Sequence, residues 1–87
     1  MEINETKLSS EKLKDVKDIV AGAFRYEKGN YQRAKYIVER MEERFGKYFA
    51  CVVGDKYSCQ AFFTYHDNYY LRCYFEDKFV VLWKENK

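Results

Sequence analysis

His66 and Asp67 are chain neighbours, and an imidazole beside a carboxylate is the pairing a general base uses. No nucleophile is fixed near them by the sequence, and the segment around them is polar, so a solvated loop histidine is the better reading. Three thiols, Cys51, Cys59 and Cys73, are the other reactive groups. They are odd in number and lack CxxC spacing, and His66 is the sole histidine, so neither a disulfide framework nor a metal centre is expected. Cys59 has no adjacent cation or helix start to lower its pKa, which makes it inert. No constellation for catalysis or for a cofactor emerges, and the sequence reads as a non-enzyme.

With bond chemistry set aside, recognition through the backbone remains. Phe49 to Phe63, FACVVGDKYSCQAFF, reads as two short strands joined at Gly54-Asp55-Lys56. In the first, Phe49, Cys51 and Val53 point one way and Ala50 and Val52 the other. A strand apolar on both sides must be covered on both sides. Helices upstream cover one face, and a second copy of the chain is the natural cover for the other. The second strand mixes Ser58, Gln60 and Thr64 with Tyr57, Cys59, Ala61, Phe62 and Phe63. Such a strand suits a sheet edge, where free N–H and C=O groups can pair with another chain.

The rest of the chain must position that edge. Its 87 residues make a single domain, spanning 1–87, near the size at which one core is only marginally sufficient. Aromatic content of 20% and the absence of proline favour a packed fold over disorder. A net charge of +2 is too mild to dictate a nucleic-acid or membrane surface. The first ten residues carry Glu2, Glu5 and Lys7 without an apolar leader core, and no apolar run reaches membrane-spanning length. With reduced cysteines, this predicts a cytosolic protein without membrane insertion.

Met1 to Lys7 alternates weakly and suits a short edge strand or a frayed end. Ser9 or Ser10 caps a helix whose stripe is Leu13, Val16, Val20, Ala23 and Phe24, ending at Lys28-Gly29. Asn30 is the predicted cap of a second helix with the stripe Tyr31, Ala34, Ile37, Val38, Met41 and Phe45, stopped by Gly46. Arg33, Lys35, Glu39, Arg40, Glu42, Glu43 and Arg44 read as its solvated face. Strands follow at Asn68–Phe75 and Lys78–Lys84. Glu76-Asp77 lacks the glycine of a two-residue hairpin, so a longer loop or a strained turn is expected. Phe79, Val81 and Trp83 against Val80 and Leu82 mark the last strand as central. The class is α+β: two amphipathic helices on an antiparallel sheet of four to five strands.

From Ser9 to Lys84 the chain resembles the small dynein light chain family. FACVVGDKYS is similar to the family's aromatic-x-Cys-Ile/Val-Val-Gly-x-x-aromatic-small pattern, AKYIVERMEERF to its second helix, and YLRCYFEDKFVVLWK to its closing hairpin. The resemblance implies a strand-exchanged homodimer in which Tyr57 to Phe63 crosses to the partner's sheet. It implies grooves at the dimer interface that bind extended segments of client proteins by β-strand addition. Dynein intermediate chain-like proteins are the implied partners, and motor assembly and microtubule-based transport in the cytoplasm the implied setting. The positions implied for the groove are Asn30, Tyr31, Ala34, Tyr57, Ser58, Cys59, Gln60, Ala61, Phe62, Phe63, Tyr70 and Tyr74. Those implied for the dimer seam are Ala50, Val52, Tyr57, Cys59, Ala61 and Phe62.

The chain departs from the pattern where clients are chosen. The family's Glu-Lys pair, which caps a client glutamine, is Asn30-Tyr31 here. Gln60, Phe62 and Phe63 replace tyrosine, threonine and histidine on the crossing strand, and Ala50 replaces an interface histidine. Arg72 stands where an aromatic is expected. The alternative reading is an aromatic sheet that stacks single-stranded nucleic acid, against which the scattered Lys56, Arg72, Lys78 and Lys84 argue.

Overall fold

The computed structural model describes residues 1–56 and 68–85. Its elements are β1 (Glu2–Thr6), α1 (Ser10–Tyr26), α2 (Asn30–Phe45), β2 (Phe49–Asp55), β3 (Leu71–Phe75) and β4 (Lys78–Lys84). The start of α1 follows its sequence: Ser9 is extended at φ −63° and ψ 160°, and its hydroxyl accepts the Lys12 N–H at 3.3 Å. Val16, Val20 and Ala23 are buried along the predicted stripe. The helix ends at Tyr26, before Lys28-Gly29, because Glu27 turns extended while its N–H still bonds the Ala23 carbonyl.

Gly29, not Asn30, is the N-cap of α2, and no side chain caps this end. Asn30 is already helical, so the predicted cap role is corrected. Tyr31 is 74% exposed and does not join the stripe, whose fully buried members are Ile37 and Met41. Gly46 ends the helix at φ 84° and ψ 173°, a conformation open essentially to glycine alone. Gly22 lets the helices approach, since a Cβ there would lie 2.7 Å from the Tyr36 hydroxyl oxygen.

The sheet is antiparallel with order β1-β3-β4-β2. The MEINETK segment does supply an edge strand, and β4 is central as its doubly apolar pattern requires. β3 starts at Leu71, later than the expected Asn68. Phe75 pairs with Lys78, so Glu76-Asp77 is a two-residue turn, with Glu76 at φ 57°. The strained turn is therefore the realised alternative. Glu76→Gly should raise stability by about 0.5–1 kcal/mol by removing the left-handed penalty of an L-residue. Urea melts of the two chains check this.

Val80 and Leu82 of β4 join Leu71, Cys73, Phe49 and the helix residues Val16, Val20, Ala23, Ile37 and Met41 in the main core. On the outer face Tyr70, Phe79 and Val81 form a second buried cluster with Tyr74 and Trp83 against it. Phe79 and Val81 are 2% and 0% exposed within one chain. The expectation that the whole outer face waits for a second copy is corrected there. It persists at β2, where Val52 is 37% exposed.

Candidate functional site

Among the described residues β2, with seven residues, is the longer of the sheet's two edge strands. It pairs with β4 on one side, from Phe49↔Lys84 to Asp55↔Lys78. On the other side no strand lies among the described residues. Bonds flanking the ladder fix its phase: Glu85 N–H donates to Tyr48 O at 2.7 Å and Lys56 N–H to Asp77 O at 2.9 Å. Alternation then sends the main-chain groups of residues 50, 52 and 54 toward β4 and those of Phe49, Cys51, Val53 and Asp55 outward. Phe49 N–H agrees with this phase by donating to Glu42 Oε2 at 3.0 Å. A row of backbone donors and acceptors thus lines the edge beside α2.

Each end of the row is fastened. At the Phe49 end, Lys84 Nζ donates to the last carbonyl of α2, Phe45 O, at 2.9 Å. Phe45, Phe49 and Tyr69 stack around it with centroid separations of 6.5, 5.4 and 5.5 Å. The ammoniums of Lys12 and Lys84 lie 4.5 and 4.9 Å from the Tyr69 centroid. At the Asp55 end, Lys78 Nζ donates to Asp55 Oδ1 at 2.6 Å. That bond and the lysine's charge hold the Asp55 carboxyl below its usual pKa, with the Asn30 side chain adding a hydrogen bond.

Linkage gives this end a pH signature. Asp55's lowered pKa adds stability that is present above the unfolded carboxylate value and lost as pH falls through the folded value. Lys78's pKa is raised, first by the Asp55 hydrogen bond, so its share is full below the unfolded lysine value and lost as pH rises through the folded one. In Lys78→Met the Asp55 carboxyl should titrate back in the ordinary aspartate range, read by carboxyl-carbon NMR. The effect on stability should be small, because both groups meet solvent.

Of the thiols, Cys51 and Cys73 lie within the described residues. Burial between helices and sheet raises the Cys51 pKa strongly, with Cys73 adding to it, and burial pushes Cys73 up to about 12. Both stay protonated at neutral pH. Among the described residues no group of His, Cys, Asp and Glu is placed to hold a metal ion, and no helix is long and apolar enough to cross a membrane.

Of the residues singled out from the sequence, Asn30 and Ala34 lie half-buried in the first turns of α2, while Tyr31 stands in solvent. Tyr70 and Tyr74 lie on the outer sheet face, Tyr70 buried and Tyr74 5.9 Å from the Phe79 ring. Ala50 and Val52 are on the outer side of β2, opposite Phe49, Cys51 and Val53, which face the main core. Tyr57, Ser58, Cys59, Gln60, Ala61, Phe62 and Phe63 lie outside the described residues, as do His66 and Asp67. Sequence reading missed Glu42, assigned to the solvated face yet half-buried against Phe49, and the Asp55–Lys78 pair. Nothing local marks Glu42; Asp55 and Lys78 carry a signal only once their strands are known to be neighbours.

The family model for dynein light chain type 1 matches residues 1–85. Among solved structures, the dynein light chain-like domain of the Fasciola hepatica calcium-binding protein FhCaBP2 superposes with a TM-score of 0.79 at 16% identity, over 99% of this chain and 92% of that one, as a mercury derivative. Its native crystal gives 0.75 at 17% identity, over 98% and 90%. At these identities the likeness speaks for the fold. No curated protein matches the sequence.

Proposed function

The chain belongs to the dynein light chain family, and from that premise we propose that it is a non-catalytic, homodimeric hub that binds extended segments of partner proteins by β-strand addition. The observation that carries this reading is the outer edge of β2, which has no strand beside it among the described residues, with outward main-chain groups at Cys51, Val53 and Asp55 and exposed Val52 beside them. In this reading Tyr57 to Phe63 of a second copy completes the edge, and the client adds the next strand. Backbone bonds supply sequence-tolerant affinity, and alternate side chains supply selectivity. A twofold dimer presents two equivalent grooves, so it aligns two client chains and gains avidity. Motor assembly and microtubule-based transport in the cytoplasm are the setting we propose.

Client choice departs from the family's in this proposal. Asn30 carries no charge, and Tyr31 is 74% exposed, so neither replaces a Glu-Lys pair. A dynein intermediate-chain glutamine peptide is expected to bind more weakly here than to a light chain that carries that pair. Stacking of single-stranded nucleic acid loses ground because Phe79, the aromatic at the centre of the outer face, is buried.

The test joins sedimentation to calorimetry with a library-selected peptide. A dimer at micromolar concentration that binds two peptides supports the proposal. A folded monomer, or a dimer that ignores peptides yet binds oligonucleotides with steep salt dependence, would overturn it.

A further inference from the structure

The chain reverses between α2 and β2 around one acidic side chain. Glu42 follows the buried Met41, so it lies to one side of the core-facing stripe of α2 and is half-buried. Its carbonyl accepts the Gly46 N–H at 3.0 Å, and Gly46, at φ 84°, turns the chain back. Its carboxylate then accepts the Phe49 N–H at 3.0 Å through Oε2. Phe49 is the first residue of β2, and its N–H is one of those that the phase of the ladder turns away from β4.

That bond changes what the edge offers to an incoming strand. At Cys51, Val53 and Asp55 the outward N–H and C=O face a side with no strand among the described residues. At Phe49 the N–H already has an ionised acceptor, and such a bond is stronger than the neutral one a strand would put in its place. A carbonyl brought to the same N–H would also set its negative end against the carboxylate. Side-chain alternation leaves part of the register open. A strand slid by one residue turns its apolar set to the wrong face, whereas a strand slid by two buries the same set. The apolar pattern cannot separate registers two residues apart, but a blocked group on the edge can.

We propose that Glu42 ends the pairing edge of β2: the strand of a second copy pairs with Cys51, Val53 and Asp55 and stops short of Phe49. This rests on the reading above that a second copy completes this edge, and it adds the residue that sets the register. Glu42 is a positioning residue in this role, because it acts through the Phe49 amide. A carboxylate that only tied helix to strand would leave the length of the dimer's ladder unchanged when removed.

Amide hydrogen exchange, read residue by residue by NMR after quenching, tests this in dilute monomer and concentrated dimer. The wild type, Glu42→Gln and Glu42→Ala are compared, with circular dichroism confirming that each folds. In the wild type the Cys51, Val53 and Asp55 amides should gain about tenfold or more in protection on dimerisation, while Phe49 is equally protected in both states. Glu42→Gln keeps an acceptor oxygen and should behave as the wild type. Glu42→Ala should leave Phe49 unprotected in the monomer and admit it to the dimer's ladder, with a gain of about tenfold or more. If the other three amides gain protection but wild-type Phe49 gains with them, or Phe49 stays unprotected in the Glu42→Ala dimer, the inference is overturned and edge completion stands. A wild type that never dimerises, or dimerises with no gain at Cys51, Val53 and Asp55, overturns the edge-completion reading and this inference with it. Should Glu42→Ala fail to fold, the wild-type Phe49 amide decides: constant protection supports the inference and a gain on dimerisation overturns it.

Discussion

Leu82→Ala should cost about 2–5 kcal/mol of folding stability, seen as a lower urea midpoint with little change in slope. Leu82 is fully buried and sits in the central strand, opposite Cys51 of β2 and Leu71 of β3 at once. Its side chain is on the face packed by α1 and α2, among Ile37, Met41, Val16 and Val20. Truncation opens a cavity where two strands and two helices meet, and a four-sided site cannot collapse from any one side without moving the others. Small domains carry about 0.05–0.15 kcal/mol per residue, so this one change removes a large share of the total. Because β4 flanks β2 on the side opposite its outward main-chain groups, truncating Leu82 leaves those groups in place, and the variant at low temperature should still bind peptide. An effect under about 1 kcal/mol would mean that the site repacks, and the core assignment would be wrong.

What could be read in advance was whatever a single element decides. The stripe Val16, Val20, Ala23 is buried because a 3.6-residue period admits one face, and the Gly46 stop needs a backbone only glycine adopts readily. Val80 and Leu82 against Phe79 and Val81 announced a strand covered on both faces. What escaped was decided between elements. Asn30 has the chemistry of a cap, but Gly29 takes the extended position before it and Asn30 is already helical. Glu42 looks solvated on a helical wheel, yet the reversal after Gly46 brings the Phe49 amide to it. Arg72 was visible as an odd residue in a sheet.

Val52→Asp should leave a folded chain that sediments as a monomer and has lost its affinity for peptide. In one chain Val52 is on the outer side of an edge strand and 37% exposed, so a carboxylate there keeps its water. The cost to the monomer is the β-propensity difference, about 1 kcal/mol or less. At a twofold seam the same carboxylate is buried, and symmetry places a second one across from it. Stranding a charge in an interface costs about 3–5 kcal/mol, which at 1.4 kcal/mol per decade weakens dimerisation by about two to four orders of magnitude. Acid should partly reverse the defect, since the introduced carboxyl, once protonated, carries no charge to desolvate, whereas a chain that merely misfolds would not reassemble as pH falls. Sedimentation from neutral pH down through the ordinary carboxylate range, beside far-ultraviolet dichroism, separates the two. A Val52→Asp chain that stays dimeric at neutral pH would remove Val52 from the seam and send the search for the second copy to another surface.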